Sequence, residues 1–316
     1  MAIGRAAHFA DRLAALVEER RSRVVLGLDP DPAALWPVAL AQSDHGGTVA
    51  ERTARAVARH CSAAIEAAGP ACVAVKLQLA CFERLGAPGW QALADVRATV
   101  REHGLLAIAD GKRGDVPVTA AAYAQGLVGS TPGPYGAVDG LAADAFTANP
   151  LLGRDSLEPL VAAASAAGAG CFVLVSTSNP GASDLQDLEA GGAPLHERVA
   201  ALVESLGAEL TGACGLSLIG AVAGATRPER LARLRELMPA AIFLLPGVGA
   251  QGAGGEGLDA AFAPHPAAGL VTASRSLVDA HARRGGDPPA AAAQAAEDLR
   301  ALTWSGMTGP PRGAGR

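Results

Sequence analysis

The sequence predicts an α/β chain folded as one (β/α)8 barrel, the TIM-barrel architecture. Three observations predict it. Short apolar runs of strand type recur along the chain, segments of helical periodicity separate them, and the charged residues of chemical interest fall at the ends of the runs. The runs span residues 24–29, 72–78, 105–110, 143–149, 171–178, 215–222, 241–248 and 269–274. Most are continuous rather than alternating, the pattern of strands buried on both faces of a parallel sheet.

The first helix is set by Phe9, Leu13, Leu16 and Val17, spaced i, i+4, i+7 and i+8 along one face. Arg20, Arg21 and Arg23 follow where that helix should end, a place where cations favour the helix dipole. Further helices are expected at 52–68, 90–103, 118–128, 156–167, 195–210 and 228–237. Eight strands alternating with helices give right-handed crossovers throughout. A doubly wound open sheet is the alternative, but the GxGxxG fingerprint of a dinucleotide fold is missing after the first strand. The Gly/Pro-rich stretches 130–140 (STPGPYGAVDG) and 249–257 read as loops, and 305–316 as a disordered tail. Residues 283–289 read as a linker to a final alanine-rich helix. The barrel domain is therefore expected over 1–283, with a C-terminal helix and tail over 284–316.

Composition bounds the function. The 316 residues are 50% apolar and carry a net charge of −5, which suits a soluble globular protein and excludes a disordered or collagen-like chain. Scattered arginines on a mildly acidic chain leave no footprint for nucleic acid or an anionic membrane. No apolar run approaches the ~18 residues of a membrane span, and the N-terminus lacks the hydrophobic region of a signal peptide. The cysteines (Cys61, Cys72, Cys81, Cys171, Cys214) are odd in number, lie in apolar surroundings and include no CxxC; they read as reduced core residues of a cytoplasmic protein. The histidines show no HExxH or other ligand spacing, so no metal site is indicated.

One compositional detail points to chemistry. Of the 26 basic residues only Lys76 and Lys112 are lysines, and the rest are arginines. Coding bias explains the arginines better than it explains the two exceptions. In a (β/α)8 barrel the active site lies at the C-terminal ends of the strands. The first predicted strand ends at Asp29 in LGLDPDP, the second carries Lys76 in VAVKLQ, and the third runs into Asp110-Gly-Lys112-Arg-Gly-Asp115. Both lysines thus fall at one rim among three carboxylates. In an extended segment residues i and i+2 project to the same side, which would point Asp110 and Lys112 together into the barrel mouth. Simpler roles compete: a structural Asp110–Lys112 ion pair, a snorkelling Lys76, and Asp115 as a helix N-cap ahead of Val116-Pro117.

A lysine can give up a proton and be recharged, whereas a guanidinium in practice cannot. Carboxylates around it keep it an ammonium, able to stabilise and then protonate a carbanion. They would also repel a substrate carboxylate held beside them. This favours a decarboxylation or another step through a carbanion. The seventh strand runs into the Gly-rich stretch at 246–255 and the eighth ends in ASRS with Arg275, a pairing suited to phosphate. Ser178, in STSNPGA after the fifth strand, would stand across the mouth to hydrogen-bond a polar ring; a hydroxyl-rich turn is its simpler reading.

Taken together, LGLDPDP, VAVKLQ, LAIADGKRGD, FVLVSTSNPGASDLQ, LLPGVGAQG and ASRS closely resemble the orotidine 5′-phosphate decarboxylases in their longer bacterial form. The resemblance covers roughly residues 9–279. It implies cofactor-free conversion of orotidine 5′-monophosphate to UMP and CO2, the last step of de novo pyrimidine synthesis, in a homodimer with shared sites. It also implies that Asp29 and Lys76 hold the ribose hydroxyls, that Asp110 sits beside the substrate carboxylate, and that Lys112 protonates C6. Asp115 and Thr119 would reach into the partner subunit's site, Ser178 would contact the pyrimidine, and Gln251 and Arg275 would bind the phosphate. The connections near 47 and 133–140 are longer than in compact members of the family. Asn149 and Arg154, in AFTANPLLGRDS, receive no catalytic role. Two rivals are a Mg²⁺-dependent sugar-phosphate decarboxylase or aldolase of the same superfamily, and a silent barrel that only binds nucleotide phosphates.

Overall fold

A computed structural model describes residues 8–41, 46–225, 227–247 and 258–305. Among these residues ten strands form: β1 (Val24–Leu28), β2 (Ala74–Gln78), β3 (Leu106–Arg113), β4 (Ser130–Gly133), β5 (Gly136–Asp139), β6 (Ala145–Ala148), β7 (Gly170–Ser176), β8 (Ile219–Ala223), β9 (Phe243–Pro246) and β10 (Gly269–Ala273). All but β4 and β5 pair in parallel and close into a barrel in the order β1-β2-β3-β6-β7-β8-β9-β10. Pairing of Val24 with Val271 and Val25 with Thr272 joins the last strand to the first. The apolar runs that predict the strands are continuous because helices cover the outside while side chains fill the inside; β1 and β8 are buried at every position.

Helices begin where local chemistry lets them. The helix Val49–Ala68 starts before the expected residue 52 because Thr48 and Glu51 form a capping box: the Glu51 amide donates to Thr48 Oγ1 and the Thr48 amide to Glu51 Oε2. The helix Ala87–Glu102 likewise starts early, with Pro88 in its first turn, where the missing N–H costs nothing. At the other end of the barrel, the helix Phe9–Arg20 sets the Phe9 ring edge-on to Phe172 at 5.9 Å. Gly170 is required there, since a Cβ would lie 2.6 Å from the Phe9 ring.

Two expectations are corrected. The stretch 130–140 is not a loop: β4 and β5 form an exposed antiparallel hairpin, with Ser130 opposite Asp139 and Gly133 opposite Gly136. Pro132 is tolerated because a two-stranded ribbon has outward edges that need no ladder partner. Arg23 does not serve the first helix's dipole. It is buried, with its guanidinium 4.2 Å from the centre of the Phe262 ring and 5.1 Å from that of Trp304. Trp304 belongs to the last helix, Pro288–Ser305, which buries Ala292, Ala296 and Leu299. Among the described residues no helix is long and apolar enough to cross a membrane. All five cysteines are free, and burial pushes the Cys72 and Cys171 thiols up to about 12, where they are inert.

Candidate active site

The C-terminal ends of the strands surround a cavity of about 260 Å³. Asp29, Lys76, Asp110, Lys112 and Arg275 line it, as the sequence predicts, together with Gln78, Thr147, Thr272 and Ser274. The barrel register brings the charges together: Gly27 of β1 pairs with Lys76 of β2, and Gln78 pairs with Asp110 of β3.

Asp110 is the hub. Its Oδ2 lies 2.7 Å from Lys76 Nζ and its Oδ1 2.7 Å from Lys112 Nζ. Lys76 Nζ also lies 3.5 Å from Asp29 Oδ1. Burial pushes the Asp110 carboxyl up, but the ammonium groups of Lys76 and Lys112 outweigh it and hold its pKa down at about 2. Burial works against the Lys76 ammonium, yet the Asp110 and Asp29 carboxylates overcome it and hold its pKa above the ordinary lysine value. Asp110 and Lys76 are therefore both charged at neutral pH. Lys112 differs from Lys76 in access: its side chain is 43% exposed against 10%, so its head can meet both a ligand and water.

The local backbone departs from the extended geometry that the i, i+2 spacing assumes. Lys112 has φ 48°, in the left-handed region that side chains other than glycine seldom adopt. Ala109 pairs with Phe146 and Arg113 with Ala148, so four steps along β3 oppose two along β6. This bulge lets the ladder loosen and the two side chains turn to each other. The flanking glycines permit it, since a Cβ on Gly114 would lie 2.6 Å from the Asn149 carbonyl oxygen. Beyond Lys112, Arg113 pairs with Glu83 and places its guanidinium 5.2 Å from the Tyr123 ring centre, which anchors the strand end.

Other predicted residues stand elsewhere. Asp115 is not the N-cap of the helix Pro117–Leu127; Val116 occupies that position, and Asp115 Oδ1 accepts from the Val116 amide instead. Neither Asp115, Thr119 nor Ser178 lines the cavity of this chain. Ser178 packs by Gly224, in a turn held by Gln186, whose Oε1 accepts from the Thr177 amide. Gln251 lies outside the described residues. Sequence reasoning missed two hydroxyls. Thr147 on β6 donates to Asp110 Oδ1 at 2.8 Å, and Thr272 Oγ1 on β10 is buried without a partner among the described residues. The only sequence signal for either is a polar residue near the end of an apolar strand run.

A family model described as orotidine 5′-phosphate decarboxylase / HUMPS family matches residues 22–295. The chain belongs to this family. The orotidine 5′-phosphate decarboxylase of Rhodopirellula baltica is 41% identical over 282 residues, covering 87% of this chain and 89% of that one. That of Deinococcus radiodurans is also 41% identical, covering 85% and 88%. Among solved structures the chain is similar to the OMP decarboxylase of Leishmania donovani, with a TM-score of 0.70 at 33% identity over 94% of this chain and 99% of that one. Family membership and the closed barrel agree with what the strand-end motifs predict.

Proposed function

We propose that this chain decarboxylates orotidine 5′-monophosphate to UMP and CO2, and that it does so without a cofactor. The observation that carries the reading is the row Asp29–Lys76–Asp110–Lys112, which lines the cavity at the C-terminal ends of the strands. In this reading the substrate carboxylate lies against Asp110. The bond from C6 to the carboxylate carbon breaks, CO2 leaves, and the electron pair left on C6 takes a proton from Lys112 Nζ. Lys112 then regains its proton from water, which its exposure allows. The ammonium is set in place before the carbanion forms, so little reorganisation is needed as charge develops.

Asp29 and Lys76 hold the ribose, Arg275 and Gln251 the phosphate, and Ser178 the pyrimidine. The Thr272 hydroxyl, without a partner among the described residues, leaves one further polar group for a bound ligand. Asp115 and Thr119 serve the partner's site in a homodimer. Supporting this, Val116 and Val118 beside them, and Leu151 and Leu152 after β6, expose apolar side chains at the barrel mouth. Cytoplasmic localisation is supported by free cysteines of which Cys61, Cys72 and Cys171 are fully buried. The test is loss of orotidine 5′-monophosphate absorbance with purified protein, with and without EDTA. Turnover undiminished by EDTA is expected; strict dependence on added Mg²⁺, or UMP binding with no turnover, would sink the reading.

A further inference from the structure

Thr147 is the point where backbone and charge network meet. Its side chain lies on β6 and is 1% exposed, and its Oγ1 makes two hydrogen bonds in opposite senses. It accepts from the Lys112 amide at 2.9 Å and donates to Asp110 Oδ1 at 2.8 Å. A single hydroxyl thus touches the main chain of one member of the Lys112–Asp110 pair and the side chain of the other.

The need for such a link follows from the bulge. Between the Ala109–Phe146 and Arg113–Ala148 pairings, β3 carries more residues than β6 can match. The Lys112 amide falls in that gap, and the Thr147 hydroxyl takes the place of a ladder carbonyl. It also ties down a residue whose φ of 48° the backbone does not favour on its own. On the side-chain face, Asp110 Oδ1 already receives Lys112 Nζ. The Thr147 hydroxyl fixes the rotation of this carboxylate, so that Oδ2 stays on Lys76 and Oδ1 on Lys112. Threonine suits the role because branching at Cβ leaves few rotamers in a strand.

We infer that Thr147 is a positioning residue: its hydroxyl holds the left-handed Lys112 backbone and the Asp110 carboxylate in the one arrangement that aims Lys112 Nζ at the reacting carbon. The inference rests on the decarboxylase reading for its catalytic consequence, while the geometric part stands by itself. Two variants separate them. Thr147→Val keeps the shape and removes the hydroxyl; Thr147→Ser keeps the hydroxyl. The expected result is a kcat lower by about 10- to 100-fold in T147V, the scale of misplacing a reacting group by about an ångström, with KM within about threefold of the parent. T147S should recover kcat to within a few-fold. Hydrogen exchange at the Lys112 amide should quicken in T147V and stay near the parent rate in T147S.

A T147V kcat within twofold of the parent would overturn the inference. So would a loss that Ser does not restore and that falls equally on KM and melting temperature. If the parent itself shows no decarboxylation, the functional reading fails, and Lys112 amide exchange alone decides the positioning role: unchanged exchange in T147V refutes it.

Discussion

At the residue scale the distinguishing fact is that two lysines share one carboxylate. Asp110 is 4% exposed, so its charge survives only because Lys76 and Lys112 hold it. Its folded pKa of about 2 lies below the unfolded carboxylate value. The stability it contributes is therefore fully present above pH ~4 and is lost as the pH falls through ~2. Melting temperature against pH should show this acid limb in the parent, and Asp110→Asn should flatten it. Lys112→Arg provides the complementary test, because it keeps the charge while abolishing practical proton donation. Decarboxylation should fall by at least about 100-fold with substrate affinity largely retained; near-parent turnover would remove Lys112 as the donor. The sequence makes the cluster legible because both lysines stand out against an arginine background at strand ends. It does not make Thr147 legible. That role depends on a register between β3 and β6 and on a left-handed turn at Lys112, neither of which local spacing encodes.

At the element scale, strands and helices follow their local signals closely, and the exceptions have local causes. Helix starts shift to where Thr48 and Pro88 can satisfy or spare the first amides. Thr48→Ala should cost about 1 kcal/mol in a chemical denaturation experiment, since it removes one half of the capping box. The hairpin β4–β5 is the element least visible beforehand. Its Gly and Pro content masks pairing that needs only backbone complementarity, and its residues are exposed, with no buried face to impose alternation. Gly170 shows the opposite case, where a missing side chain matters most. Gly170→Ala would push a methyl into the Phe9 ring and should destabilise the fold by about 1–3 kcal/mol, read as a lower melting temperature.

At the scale of the whole molecule, the barrel order was legible because each buried parallel strand announces itself by composition and each crossover must be right-handed. How the residue before β1 meets the last helix was not. Arg23 reads as a cation that favours the dipole at the end of the first helix, yet it lies under Phe262 and Trp304, two side chains far away in sequence. The last helix is thereby part of the barrel's cover. Ending the chain at residue 287 should uncover Arg23 and the apolar groups packed on Ala292, Ala296 and Leu299, lowering the melting temperature. An unchanged melting temperature in that truncated chain would show the helix to be dispensable.

The closing pair of strands also sets an order of events during synthesis. β1 is synthesised before every other strand of the barrel, and its partner β10 follows all of them. Until then one side of β1 is an unsatisfied edge, and its start lacks the aromatic cover that Phe262 and Trp304 provide. The nascent chain must therefore carry an open edge until β10 is made, and the finished active-site rim, which takes Asp29 just after β1 and Thr272 from β10, comes into being only once both strands have emerged.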